Sequence, residues 1–373
     1  MKLHHSYQAH LGLCAFLALL PADQGAAFED YTGPLGGTTS FYGQLSPSVI
    51  SVDDGAQNKA AVVDNTHSSS RIGFLLVRPA DGREFRFRFE TGLGFRQSDA
   101  ISQIYTGDAI DWEHSDIRYV DLSWQFDRLG RLSIGHGGMA ADQTASADLS
   151  GTGLANGVSV PDMAGGFEFR TSSGALSGMT VKSAYKTYDG TRRARLRYDT
   201  RSVSGFTLSA SAGTEVLEEN SSEKNYDIAL RYENETDALK LQGAIAGSAT
   251  RTNGLPTRQD QVGSFSALHK PSGLSFTISA GSGNPGGRDL YGKLGYQLDW
   301  LPVGRTYFSV DYLYNTDIAF SGARARAWGG AIVQNFQDQG LDLYLGLRRY
   351  TLSGSAVILD ELKAFQFGTR WRF

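Results

Sequence analysis

The chain has 373 residues, a formal net charge of −4 from 35 Lys+Arg and 39 Asp+Glu, 45 Gly and one Cys. With 40% hydrophobic and 11% aromatic residues it is too apolar to be disordered, and its near-balanced charge does not favour nucleic acid as a partner. The longest apolar run, residues 11–20, is about half the length that a membrane-spanning helix needs. The sequence therefore excludes a helical membrane protein.

Residues 1–27 have the layout of a secretory signal peptide. A short start with one Lys precedes the apolar run, and small residues end the segment at Ala27. We therefore predict a signal peptide over residues 1–27 and one mature domain over residues 28–373. The alternative, a lipoprotein anchored through Cys14, requires a small residue where Leu13 stands.

Short segments of alternating polarity fill the mature chain. In the clearest one, Phe85, Phe87 and Phe89 alternate with Arg86 and Arg88. On a strand this places three rings on one face and two guanidinium groups on the other. Many such segments, each about ten residues long, are typical of a transmembrane antiparallel β-barrel.

The connections between these segments alternate between short and long. Such sorting is typical of a barrel with short turns on the periplasmic side and long loops outside. We predict an all-β barrel of sixteen to eighteen strands, and the number of segments leans toward eighteen, because residues 164–199 accommodate one or two hairpins. The short connections include residues 79–82, 127–130, 271–273, 301–304 and 338–340, and the long ones include residues 53–69, 97–116, 137–164, 214–224 and 250–260.

Several short stretches, taken in order, carry a resemblance to a known family. They include Phe41-Tyr42-Gly43-Gln44-Leu45, Ser70-Arg71-Ile72-Gly73-Phe74, Asp148-Leu149-Ser150-Gly151-Thr152, Arg195-Leu196-Arg197-Tyr198-Asp199 and the terminal Phe373. With these stretches the chain resembles the general bacterial porins of Gram-negative outer membranes, especially their alphaproteobacterial branch. The resemblance covers almost the whole mature length.

The resemblance favours sixteen strands, which we adopt as the prediction, with eighteen as the alternative. It implies a homotrimer of outer-membrane barrels, each with its own water-filled channel. It also implies that the third external loop, placed at residues 137–160, folds inward and narrows that channel. The resemblance also implies that the terminal Phe373 is the signal that the outer-membrane assembly machinery recognises.

The family pattern further implies an acidic loop facing a basic wall. Asp142, Asp148 and Asp162 supply the predicted acidic lip. Arg71 and Arg170 match wall positions, because the apolar residues that alternate with each of them are expected to point to lipid. Opposed carboxylates and guanidinium groups would set a transverse field across a watery gap, so that small polar solutes align and pass.

Arg118 also occupies a family wall position, but alternation places it on the lipid face unless a β-bulge intervenes. Gln44 stands where some relatives carry a basic residue, and we expect it to line the pore. The remaining predicted pore-lining residues are paired arginines, which must avoid lipid because a charge at the bilayer midplane costs about 2 to 4 kcal/mol. They are Arg86, Arg88, Arg195 and Arg197.

The sequence favours a channel over an enzyme. The one suggestive catalytic neighbourhood, His67 beside a serine run, has the composition of an ordinary loop, and we predict no catalysis and no cofactor. Calcium at Asp53-Asp54-Gly55, or near Asp142 and Asp148, is an alternative to solvated loop acids.

We predict an outer-membrane porin for passive diffusion of small hydrophilic solutes and ions, with membrane lipid as its surroundings. A solute-specific channel of the same fold is an alternative, which a single-file track of aromatics in the lumen would favour. A secreted β-sandwich adhesin or carbohydrate-binding protein is the alternative from another class.

Overall fold

The computed structural model describes residues 30–33 and 36–373. The predicted signal peptide, residues 1–27, lies outside the described residues. Within the described part of the chain, no helix has the length and apolar character needed to cross a membrane.

Strands dominate the described residues. In chain order they are β1 (Tyr31–Thr32), β2 (Thr38–Leu45), β3 (Pro47–Asp53), β4 (Asn58–Asp64), β5 (Arg71–Ala80), β6 (Arg83–Gly92), β7 (Ile117–Phe126), β8 (Gly130–Gly138), β9 (Glu168–Arg170), β10 (Leu176–Thr180), β11 (Arg192–Asp199), β12 (Phe206–Thr214), β13 (Lys224–Glu235), β14 (Leu239–Arg251), β15 (Arg258–His269), β16 (Leu274–Asn284), β17 (Arg288–Leu301), β18 (Gly304–Thr316), β19 (Arg324–Phe336), β20 (Leu341–Ser353) and β21 (Leu362–Arg372). One helix, α1 (Val181–Ala184), and four short 3-10 turns (Thr66–Ser68, His114–Asp116, Val160–Asp162 and Gln337–Gln339) complete the described elements.

Sixteen antiparallel strands close into a barrel, and β1, β3 and β4 extend the same sheet. Closure joins β2 to the C-terminal end of β21: the N–H of Gly43 donates to the carbonyl of Phe373 at 2.9 Å, and the N–H of Phe373 donates to the carbonyl of Gly43 at 3.1 Å. The predicted sixteen strands are confirmed. The alternative count of eighteen is wrong, because β9 and β10 pair only with each other and β8 pairs directly with β11.

Side chains alternate between the two faces of the barrel as the sequence predicts. On β16, Phe276 and Ile278 are 45% and 41% exposed on the outer face, whereas Thr277 and Ser279 are buried on the inner face. The phenylalanines of β6 follow the same pattern. The rings of Phe87 and Phe89 pack on the outward-facing ring of Phe74 on β5. An apolar outer face and a polar inner face suit a barrel surrounded by lipid.

The largest buried apolar cluster lies inside the barrel, where a long loop packs against the wall. Phe167, Phe169 and Tyr185 of this loop are buried against inward residues such as Ala325 and Tyr350. Because a single sheet closes around this cluster, the β-sandwich alternative is wrong.

Candidate functional site

The longest connection in the barrel joins β8 to β11 and is called here the third loop (residues 139–191). It is the third long connection at its end of the barrel, and it contains β9, β10 and α1. The sequence prediction of residues 137–160 was too short, because the strand-like segments that follow belong to the loop rather than to the wall.

The first part of the third loop is held by β13. The Asp227 carboxylate accepts hydrogen bonds from the backbone N–H groups of Ala140 and Ala141, at 3.3 and 3.0 Å. Arg231 donates to the carbonyls of Ala140 and Asp142, each at 2.7 Å. These side chains alternate with the lipid-exposed Ile228, so the loop contacts the inner face of the wall.

The middle of the third loop is held by a buried ion pair with β17. The Lys293 ammonium lies 2.7 Å from the Asp148 carboxylate, and the Lys293 side chain is 1% exposed. Lys293 also donates to the carbonyl of Asn156. Burial raises the pKa of Asp148, but the charge and hydrogen bonds of Lys293 outweigh it and leave that pKa below its ordinary value.

A second buried ion pair supports the loop from β18 and β20. Arg348 donates to the Asp311 carboxylate at 3.0 Å, and both side chains are fully buried. Arg348 also donates to the Asn156 side-chain oxygen, and the Tyr350 hydroxyl donates to the Val160 carbonyl at 2.9 Å. Buried ion pairs need further hydrogen bonds to offset desolvation, and Asn156 supplies one here.

The three predicted lip carboxylates have separate environments. Asp148 is paired with Lys293, and Asp162 lies 3.3 Å from His67 Nδ1. Burial raises the pKa of Asp142, and nearby arginines, chiefly Arg192, oppose this rise. The three carboxylates of the predicted acidic lip therefore do not act as one group. The Asp148–Lys293 pair has no net charge.

Arginines dominate the wall formed by β5 to β8 and β11. Arg71 and Arg118 approach the same Glu90 oxygen, with their Nε atoms at 3.7 and 2.6 Å, and the Tyr42 hydroxyl donates to Glu90 at 2.9 Å. Arg118 faces inward, at the wall position that the family pattern implied, because the β-bulge on which that position depended is present. A register shift between β6 and β7 skips Arg118, and this bulge turns its side chain to Glu90 on the inner face.

The next arginines along this wall share one acid. Arg195 lies 2.9 Å and Arg88 3.6 Å from the Asp121 carboxylate. The Arg88 guanidinium also lies 3.2 Å from the ring centroid of Tyr119, and that of Arg192 lies 5.6 Å away. The Nε of Arg192 is buried without a hydrogen-bond partner among the described residues.

The other predicted pore-lining residues also face inward. Arg86 pairs with Glu84 on its own strand, and Arg197 lies 2.7 Å from Asp199. Gln44 donates to the carbonyls of the loop that follows β4, at 2.8 Å. Gln44 is buried, so it holds this loop rather than offering a free polar group.

Arg170 is not a residue of the barrel wall, so that prediction is wrong. It lies on β9, and its Nε is 2.8 Å from an oxygen of Asp54. Phe167 and Phe169, predicted to face lipid, are 0% exposed in the interior cluster. The sequence pattern failed because a strand that buries its rings in a loop core alternates in the same way as one that faces lipid.

The Asp54 site, where calcium was an alternative, is occupied by protein donors. Arg170 and the backbone N–H groups of Ala56 and Gln57 donate to Asp54. Burial raises the pKa of Asp54, but these hydrogen bonds outweigh it and leave the pKa below its ordinary value. Among the described residues, no three His, Cys, Asp or Glu side chains converge as metal ligands would.

The residues that hold the third loop were not predicted from the sequence. Lys293, Asp311 and Arg348 were not singled out, although alternation with the lipid-exposed Leu294 and Leu347 would have placed Lys293 and Arg348 on the inner face. Their partners could not be predicted, because strand periodicity carries no information on the course of a loop.

The sequence matches the family model of Gram-negative porins over residues 17–355. No curated protein matches it. The fold is similar to an anion-selective porin from Comamonas acidovorans, with a TM-score of 0.61 and 16% identity over 90% of this chain and 100% of that one. It is also similar to OprB of Pseudomonas putida, with a TM-score of 0.62 and 12% identity over 90% of this chain and 94% of that one. The fold is similar to OmpF of Salmonella typhi as well, with a TM-score of 0.56 and 11% identity over 92% of this chain and 100% of that one.

The family match spans most of the chain, and the closed sixteen-strand barrel with its apolar outer face agrees with it. The alphaproteobacterial branch stays a prediction. The chain belongs to the Gram-negative porin family and is an outer-membrane β-barrel channel for the diffusion of small solutes.

Proposed function

We propose that this porin is a passive channel that prefers small anions, and that its narrowest passage lies between the third loop and the arginine wall. The third loop hydrogen-bonds to inward side chains on β12, β13, β15, β17, β18 and β20. Arg197 on β11 also donates to the carbonyl of Met139, where the loop begins. A loop held along the arc from β12 to β20 would leave the open passage beside β5 to β8 and β11.

The charge of this wall carries the proposal. Five guanidinium groups lie beside three carboxylates, those of Glu90 and Asp121 on the wall and of Asp142 on the loop, which leaves a local excess of two positive charges. The acidic side of the passage is weakened because Lys293 neutralises Asp148. A narrow passage with one prevailing sign of charge concentrates ions of the opposite sign. The five arginines are Arg71, Arg88, Arg118, Arg192 and Arg195. The similar barrel from Comamonas acidovorans is described as anion-selective.

The test is the reversal potential of purified protein in a planar bilayer under a KCl gradient. We expect an anion preference that falls in the double variant R71Q/R118Q. The matched control is K240Q/K270Q, which removes two exposed charges beside Glu235 at the short-turn end. A cation preference of the wild type, or equal shifts in both double variants, would contradict the proposal.

We further propose a homotrimer that associates through the short-stranded side. Strands β5 to β8 and β11 have 8 to 10 residues, whereas β13 to β20 have 11 to 14. The outward rings of Phe74, Phe87 and Phe89 pack together on this side. A similar outer-membrane protein of Vibrio cholerae is described in a trimer form.

We propose no catalysis and no resident cofactor. His67 Nδ1 lies beside Asp162, and the Ser68 hydroxyl accepts a hydrogen bond from Gln44 at 2.9 Å. This pairing leaves neither residue arranged as a nucleophile and its base. Recognition of Phe373 by the assembly machinery is also a proposal, supported by its position at the closing strand pair.

A further inference from the structure

Three arginines project from the outer face of the barrel at its long-loop end. Arg288 on β17 and Arg324 on β19 both pair with Thr316 on β18, and Arg326 lies two residues after Arg324. Directly paired residues of an antiparallel sheet share a face. Ala325 and Ala327, which alternate with the arginines on β19, are 2% and 0% exposed inside the barrel, so Arg324 and Arg326 point outward.

These three residues, called here the outer basic patch, have no acidic partner. Among residues 30–33 and 36–373, none of the three forms an ion pair or a side-chain hydrogen bond, and the one contact of a guanidinium group is that of Arg326 with the Tyr314 ring at 5.5 Å. At the opposite end of the barrel the exposed basic residues do have an acidic partner, since Lys270 and Lys240 lie 2.7 and 3.4 Å from Glu235.

The patch lies directly above a lipid-facing surface. Tyr312 and Trp328 lie next along β18 and β19, with ring centroids 4.3 Å apart, and Trp328 is 60% exposed. Beyond them, Val310 and Ile332 are 60% and 44% exposed. Exposed Tyr and Trp mark the interface between hydrocarbon and headgroups. The patch therefore lies at the level of the lipid headgroups, on the side that the long loops face.

We propose that the outer basic patch binds the phosphate-bearing headgroup of a lipid in the outer leaflet, while the acyl chains of that lipid lie along the aliphatic surface below. Arg288 and Arg324 are two strands apart, about 10 Å, and Arg324 and Arg326 are about 7 Å apart along one strand. This spacing suits a headgroup with two phosphates, since each guanidinium group can donate two hydrogen bonds to one phosphate.

The experiment is native mass spectrometry of the full-length barrel in detergent with lipid A that carries two phosphates. We expect the wild type and K240Q/K270Q to retain this lipid. The affinity of R324Q/R326Q for it should be about 30-fold lower, which is the ratio expected for the loss of two cationic contacts. R288Q, a second and independent variant, should weaken retention about fivefold. Phosphatidylcholine should be retained equally by all four proteins.

Two outcomes would overturn the proposal. One is equal retention of lipid A by the wild type, R324Q/R326Q and R288Q. The other is complete displacement of lipid A from the wild type by inorganic pyrophosphate, because the patch would then be a site for free phosphates rather than for an anchored lipid. A heat-dependent gel shift in each variant verifies that the barrel is folded, and R288Q remains decisive where the double variant fails that control.

Discussion

The Lys293 ammonium of the barrel wall lies 2.7 Å from the Asp148 carboxylate of the third loop, in a position where Lys293 is 1% exposed. One lysine thus joins the loop to the wall and cancels the charge of the central acid of the predicted lip. Removing one partner of a buried pair costs about 3 to 5 kcal/mol, because the other charge stays buried and unpaired.

We expect Asp148→Asn to loosen the third loop and to raise single-channel conductance and current noise, because the Lys293 ammonium loses its counter-charge. The matched control is the double variant D148N/K293M, which removes both charges. It should return conductance and noise toward wild-type values. Identical behaviour of the single and double variants would show that the ion pair does not hold the loop.

The pH dependence of the loop should follow Asp189. Burial and, to a smaller extent, the Asp142 carboxylate raise the pKa of Asp189 from 3.8 to about 6. A raised carboxyl pKa means that the folded loop favours the protonated form of Asp189. The stability that protonated Asp189 contributes to the folded loop is therefore complete below pH 3.8 and is lost as pH rises through about 6. We expect current noise to fall between pH 7 and pH 5, and Asp189→Asn to abolish that change. A change that persists in the variant would exclude Asp189 as its cause.

Barrel closure should be sensitive to the residue opposite the C-terminus. A Cβ at Gly43 would lie 2.6 Å from the Phe373 ring and 2.9 Å from the Arg71 carbonyl. We expect Gly43→Ala to reduce the assembled fraction seen as a heat-dependent gel shift. After refolding in detergent, where the assembly machinery plays no part, the double variant G43A/F373L should recover part of it, because a smaller side chain relieves one of the two clashes. Full recovery would assign the whole defect to the ring.

Arg170 should not influence ion selectivity. Because it pairs with Asp54 outside the barrel sheet, Arg170→Gln should lower the thermal stability of the protein and leave the reversal potential unchanged. Arg71→Gln, which removes a charge of the wall itself, provides the comparison and should shift the reversal potential. A shift in R170Q as large as in R71Q would return Arg170 to the channel wall.

Strand periodicity predicted the barrel well because every second residue faces lipid, and this constraint holds along each strand independently. It placed Arg71, Arg88 and Arg195 on the inner face, where the structure has them. Alternation alone could not decide the face of Arg118, whose wall position depended on a bulge, and it failed for Arg170, since a buried loop hairpin satisfies the same pattern. The partners of Asp148 and Asp162 depend on the course of the loop, which no local pattern encodes.

The attachment of the third loop also fixes an order of events during assembly. The loop precedes in the chain all of the wall residues that hold it on β12 to β20, including Lys293 and Arg348. It therefore acquires its final partners only once those strands are in place. Docking of the loop is then a late step, and a chain that has lost its last strands cannot complete it.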